Sequence, residues 1–170
     1  MIALTPRSFA PLLLLLCGAC TIVLRSDDEG GKGRGSTGNP VADVDLVLDA
    51  FHRAASESDL EGYLGLLTPD AVFIGTDASE RWSKEEFGDF ARPHFEAGRG
   101  WTYHTLERHV SVAGSTAWFD ERLTNEKYGE TRGSGVLRRQ KGRWRLVQYV
   151  LSFPVPNELA GDLVERIRAR

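Results

Sequence analysis

The chain has almost no sulfur: of its 170 residues only Cys17 and Cys20 are cysteines, and only Met1 is a methionine. Both cysteines fall within the first twenty residues. The stretch beyond them can therefore form no disulfide framework, no cysteine metal site and no Cys–His nucleophile. An excess of positive charge is missing as well. The net charge is -3, and without residues 1–19, whose one charged side chain is Arg7, it becomes -4, with 20 Lys and Arg against 24 Asp and Glu. Nucleic acid rewards concentrated positive charge, so no nucleic-acid partner is expected. No phosphate-cradling glycine loop and no Gly-x-Ser-x-Gly elbow occur, which removes nucleotide-dependent and serine-hydrolase mechanisms. The histidines, His52, His94, His104 and His109, show no ligand spacing. His104 and His109 are five apart on a strand and so fall on opposite faces, and neither a metal nor a cofactor is expected.

What is present begins with a leader. Met1 to Arg7 carries one positive side chain, and Phe9 to Leu16 is an apolar stretch of the length a secretory segment needs. Cys17-Gly18-Ala19-Cys20 follows. Small residues before a cysteine resemble the bacterial lipobox, which implies cleavage after residue 19 and a lipid on Cys20, with Cys17 standing where that motif prefers leucine. This reading makes residues 1–19 a signal peptide and places the product at the cell envelope as a membrane-anchored lipoprotein. Two alternatives stay open. Ordinary cleavage after Ala19 leaves a soluble periplasmic or secreted protein, and an uncleaved anchor extends the apolar run through Thr21 to Leu24, shorter than a spanning helix usually is. Residues 20–40 are rich in glycine and charge, with no large apolar residue from Ser26 to Pro40, and read as a flexible tether.

From Pro40 the period becomes helical. Val44, Val47, Leu48, Phe51, Ala54 and Ala55 share one face, with Asn39 or Asp43 available as cap. Ser58-Asp59-Leu60-Glu61 reads as a capping box opening a second helix, with Leu60, Tyr63, Leu64 and Leu67 inward, broken at Thr68-Pro69-Asp70 and followed by a short strand, Ala71 to Ile74. A second capping box, Ser83-Lys84-Glu85-Glu86, opens a third helix containing Phe87, Phe90, His94 and Phe95, with a bend expected at Pro93. Beyond Trp101 strands are predicted at about 102–113, 116–124, 131–140 and 143–153, with hairpins at Gly114-Ser115 and Lys141-Gly142. Helices first and a meander second define an α+β class, three helices packed on one face of a curved antiparallel sheet. The domain is predicted over 41–156, followed by a helix over 157–170 whose Leu159, Leu163 and Ile167 are expected to pack back on it.

This order, together with Ala71-Val72-Phe73-Ile74-Gly75-Thr76-Asp77, Glu80-Arg81-Trp82-Ser83, Ala117-Trp118-Phe119-Asp120-Glu121, Gly135-Val136-Leu137 and Gly142-Arg143-Trp144-Arg145-Leu146, resembles the SnoaL-like branch of the nuclear transport factor two-like superfamily. The resemblance covers about residues 42–155. It implies a cone-shaped α+β barrel with a pocket between sheet and helices, and a homodimer through the outer sheet face. Its relatives include isomerases, cyclases, dehydratases and domains with no known reaction, so the resemblance specifies fold far more than function. Catalytic relatives place a carboxylate base near the end of the first strand; that place falls here on Gly75, which has no side chain, with Asp77 two residues on.

Candidate site residues are weighed against ordinary structural roles. Asp77 is a candidate base, and its Thr76-Asp77-Ala78-Ser79 setting equally reads as a local Asx turn. Asp120 and Glu121 are adjacent on a strand, so only one points inward, where it can meet Arg132 as a ligand clamp or a structural pair. Asp120 is the second candidate base. His94 follows Phe87 and Phe90 around the third helix and is a candidate pocket residue. Trp82, Trp101, Trp118 and Trp144 line a pocket for a flat ligand or fill the core, core filling being the default. On the last strand, Trp144, Leu146, Gln148, Val150 and Ser152 alternate onto one face and Arg145, Val147, Tyr149, Leu151 and Phe153 onto the other, which makes Gln148 a candidate pocket residue. The leading expectation is binding of a small, partly apolar molecule without a committed reaction; alternatives are a proton-transfer enzyme and a protein-docking scaffold.

Overall fold

The computed structural model describes residues 37–170. The leader, Cys20 and most of the tether lie outside the described residues. The elements run α1 (Pro40–Ser56), α2 (Leu60–Gly65), β1 (Leu67–Ile74), β2 (Arg81–Ser83), α3 (Lys84–Glu96), β3 (His104–Ala113), β4 (Thr116–Asn125), β5 (Gly129–Gln140), β6 (Arg143–Ser152) and α4 (Asn157–Arg168).

Local chemistry starts the helices where the sequence indicates. Asn39 caps α1 by accepting the backbone N–H of Val41, and Pro40 occupies the first turn, where its missing N–H is harmless. Ser83 and Glu86 form a reciprocal capping box at α3. At α2 the outcome differs: Asp59 is the cap, accepting from Gly62 N–H, and Ser58 turns away to accept Gly100 N–H through its Oγ. Strand β1 also begins earlier than its sequence suggests, running through Thr68-Pro69-Asp70. A proline is tolerated there because this stretch is an irregular part of the ladder, between the pairs Leu67–Leu146 and Val72–Gln148.

The sheet has the order β2-β1-β6-β5-β4-β3. Strands β3 to β6 form the expected antiparallel meander, but β1 pairs parallel with β6, so the curved sheet is mixed rather than purely antiparallel. The parallel pairing follows from connectivity: β1 is separated from β6 by the whole meander and enters its free edge in the same direction. The three-residue β2 then covers the outer edge of β1.

Helices α1, α2 and α3 lie on the concave face. Val44, Leu48, Phe51 and Ala55 of α1, Tyr63 of α2, and Phe87, Ala91 and Phe95 of α3 meet Phe73, Ala117, Phe119, Leu137, Leu146 and Tyr149 from the sheet. Rings dominate the contact: Phe73 stacks on Phe87 at 3.9 Å between centroids and Phe51 on Tyr63 at 4.3 Å. Each fully buried large apolar side chain stabilises the fold by about 1.5–3 kcal/mol, so this aromatic seam supplies much of the attachment of helices to sheet.

One irregularity decides which residues face inward on β6. Val136 pairs with Gln148 and Leu137 with Leu146, leaving Val147 as an extra, bulged residue. The bulge shifts the alternation by one. Trp144 and Leu146 face the core before it and Tyr149 faces the core after it, so Gln148 is turned to the outer face instead of sharing a face with Leu146. The C-terminal helix also departs from expectation. No residue of α4 is buried, and Leu159, Leu163, Val164 and Ile167 are exposed rather than packed on the domain. Pro154 and Pro156 lead into α4 and have no N–H to continue the ladder of β6.

Replacing Ser83 with Ala is expected to lower stability by about 1 kcal/mol and Ser83→Gly by only a few tenths, measured by urea denaturation, because alanine both removes the cap and disfavours the cap conformation.

Candidate active site

The concave face and the three helices enclose a cavity of about 170 Å³. An apolar cavity of roughly 150 Å³ accommodates benzene, so this one holds a single ring or a small fused pair. Phe51, Tyr63, Phe73, Phe87 and Tyr149 form its floor and are nearly inaccessible, whereas Phe90, Tyr128 and Phe153 are 43%, 48% and 45% exposed and mark its rim. Trp82, Trp101, Tyr103 and Leu151 complete the walls. Few cavity groups are polar: His52, Tyr103, Thr76 and Glu80, with the hydroxyls of floor and rim tyrosines.

His52 is fixed from behind by the sheet. Its Nε2 lies 2.8 Å from Oε1 of Glu121, a carboxylate with no solvent exposure on the inward face of β4. The hydroxyl of Tyr149 donates to the same oxygen at 3.1 Å, and Arg108 Nε–H donates to Oε2 at 2.8 Å. Arg108, on β3, extends to α1, where its Nη1 meets Asp49 Oδ1 at 2.8 Å. A buried carboxylate is costly unless it is paired and hydrogen-bonded, and Glu121 has donors on both oxygens. Burial alone pushes its pKa up, but the bonds and charges of His52 and Arg108 outweigh this and hold the carboxyl below its ordinary range. The phenols respond oppositely. Burial, then the negative charge of Glu121, raises Tyr149 far above the usual phenol range, and burial pushes Tyr103 up to about 12, so both remain protonated donors at neutral pH.

The backbone leaves room for this cluster at Gly133. A Cβ there would collide with the Tyr149 hydroxyl and with Glu121. Gly75 plays a similar part near the rim, since a Cβ at that position would meet the Glu80 side chain. The turn after β1 thereby brings Glu80 into the cavity wall, near the strand end where the resemblance places a carboxylate.

Of the residues singled out from the sequence, Trp82 and Trp101 line the cavity. His94 does not; it borders an adjoining, more open groove with Arg99, His104 and Lys127. Asp77 is exposed, its carboxylate closing an Asx turn onto the N–H and hydroxyl of Ser79. Asp120, Trp118 and Arg132 are exposed on the outer face, because Ala117, Phe119, Glu121 and Leu123 take the inward positions of β4 and Thr131, Gly133 and Gly135 those of β5. Glu121, the neighbour of Asp120, is thus the inward carboxylate, and its basic partner is Arg108 instead of Arg132. Gln148 is outward because of the bulge. His52 was within reach of sequence reasoning, since it follows Leu48 by four residues on the buried face of α1. Among the described residues no three His, Cys, Asp or Glu side chains are grouped as metal ligands would be.

A cone of three helices on a curved mixed sheet, with an aromatic cavity between them, is the architecture of the nuclear transport factor two-like proteins. The SnoaL-like domain family matches residues 44–156, and the chain belongs to that family. Among solved structures it is similar to an NTF2-like protein of unknown function from Pseudomonas putida, with TM-score 0.60 and 16% identity over 73% of this chain and 93% of that one. A candidate dehydratase of the NTF2-like family from Streptomyces avermitilis gives 0.58 and 20% over 68% and 96%. A ketosteroid isomerase-like protein from Erwinia carotovora atroseptica gives 0.53 and 21% over 68% and 97%. At these identities the likeness is one of fold. Among curated proteins, none matches the chain.

Glu121→Gln is expected to cost about 3 kcal/mol or more at neutral pH, because it leaves the guanidinium of Arg108 without its buried counter-charge. Since the folded pKa of Glu121 is lowered, its contribution is complete above the ordinary value of 4.5 and disappears as pH falls through the folded value. Urea midpoints recorded across acid pH should therefore show the gap between wild type and variant narrowing below pH 4.5.

Proposed function

We propose that this domain binds a small, flat, partly apolar molecule in the cavity between its helices and sheet. The observation that carries the reading is the cavity itself: ring-sized, walled by aromatic side chains, and bounded at its rim by exposed Phe90, Tyr128 and Phe153. Exposed aromatic rings around an apolar hollow suit a ligand that enters from water and covers them. Tyr103 and His52 supply polar contacts within an otherwise apolar wall. The same reading makes the chain an exported protein held at the cell envelope through a lipid on Cys20, which the small residues before that cysteine and the apolar run from Phe9 support.

Indole serves as a probe of the cavity. Titration followed by NMR is expected to show saturable binding, and Leu151→Trp, which fills the space, to weaken it by about tenfold or more, equivalent to about 1.4 kcal/mol. Trp118→Ala on the outer face should bind as wild type does; an unchanged affinity in Leu151→Trp would defeat the reading. For the anchor, Cys20→Ala is expected to reduce the mass of the mature protein and release it from the membrane fraction. An unaltered mass and fractionation would remove the lipid.

A further inference from the structure

Ligand binding does not account for the depth at which His52 is held. A cavity for an apolar ring needs no imidazole, and a buried histidine placed only to fill space needs no ionised carboxylate behind it. Here the ring is 9% exposed, its Nε2 is bound to Glu121, and Glu121 is itself anchored by Arg108 and Tyr149. One nitrogen of the imidazole is thus held by a carboxylate that two further strands fix in place.

The carboxylate selects the tautomer. An ionised Glu121 accepts and cannot donate, so Nε2 carries the proton of that bond and the neutral ring keeps its lone pair on Nδ1. Among the described residues Nδ1 has no hydrogen-bond partner, and it is not one of the sealed polar atoms that lack one. The ring it belongs to forms part of the cavity wall. An oriented imidazole, a carboxylate that stabilises its protonated form, and an apolar space beside it are the components of a general base. Arg108 carries part of the same design. By bonding Oε2, and being offset in turn by Asp49, it keeps Glu121 ionised without taking the oxygen that faces His52.

We infer that His52, oriented by Glu121, is a base that removes a proton from a ring-sized substrate held in the cavity. The inference rests on the binding reading above. The substrate class it specifies is a planar molecule of one or two fused rings with an acidic C–H, activated by a neighbouring electron-withdrawing group. The Nδ1 lone pair takes the proton, and the electron pair of the broken C–H bond moves into the substrate's conjugated system. The Tyr103 hydroxyl, which stays protonated and whose ring centroid lies 6.4 Å from that of His52, can donate to an oxygen that gains charge. Return of the proton from Nδ1 to another atom of the substrate completes an isomerisation with no other reactant. Glu80 is the competing base in the wall; its carboxylate, however, accepts the N–H of Asp77 at 3.0 Å and, among the described residues, has no salt-bridge partner.

The test uses 5-nitrobenzisoxazole, a fused-ring probe whose ring opens when a base removes its one hydrogen on the five-membered ring. The C–H electron pair becomes part of a nitrile, the N–O bond breaks, and the oxygen leaves as a coloured nitrophenolate; the proton passes from the imidazole to water. The wild-type protein is expected to accelerate opening at least about 100-fold over buffer. His52→Gln, which still offers an N–H to Glu121, should lose nearly all of that acceleration, whereas Trp118→Ala, on the outer face, should retain it. Imidazole added to His52→Ala should restore part of the rate. Three results overturn the inference while leaving the binding reading intact: indole binds but wild type gives no acceleration, His52→Gln keeps the rate, or Glu80→Gln loses as much as His52→Gln. Failure of the wild type to bind indole overturns both.

Discussion

Burying one negative charge at the centre of an aromatic core dictates much of the surrounding architecture. The Glu121 carboxylate is fully removed from water, and an ion in that position is tolerated only when hydrogen bonds and opposite charge replace its hydration. The replacement comes from α1 through His52, from β3 through Arg108 and from β6 through Tyr149. Strands and helix are thus held in register by directional bonds at a point where apolar packing alone would permit sliding. Gly133 on β5 completes the arrangement by having no side chain in the space that the phenol and carboxylate occupy.

The same cluster separates two kinds of chemistry within a few ångströms. On the sheet side the groups are charged and saturated with partners; on the helix side the walls are rings with few polar atoms. His52 stands at the boundary, with one nitrogen committed to the charged network and the ring set in a T-shaped arrangement with Phe51, 5.7 Å away between centroids. Low polarity around the ring strengthens whatever electrostatic interaction it makes, because little water is present to compete.

The helices and the meander were legible from sequence because their signals are local. Asn39, Ser83 and Glu86 act over three or four residues, and the apolar spacing of Val44, Leu48 and Phe51 is read directly as a buried stripe. The parallel β1–β6 pairing was not legible from local pattern, since its partners are more than seventy residues apart and nothing in either strand names the other. The site was half legible. Trp82 and Trp101 could be found as aromatic residues beside predicted helix ends, and adjacency alone established that only one of Asp120 and Glu121 faces inward. Choosing between those two required the strand register, which pairs Glu121 opposite Arg108 and Gly133. Gln148 was misplaced because simple alternation takes no account of an inserted residue.

That inserted residue, Val147, gives β6 a phase as well as a sequence. Ahead of it the strand offers Trp144 and Leu146 to a solid core; behind it, the face that would have held Gln148 and Val150 is exchanged for one that offers Tyr149 and Leu151 to a hollow. Were Val147 instead taken into the ladder as an ordinary residue, the strand would straighten and every later side chain would turn to the opposite face. The aromatic wall would then point to solvent and an amide would sit beside Glu121 in place of the phenol. Whether this cone has a hollow with chemistry at its base is therefore governed by one residue standing outside the ladder.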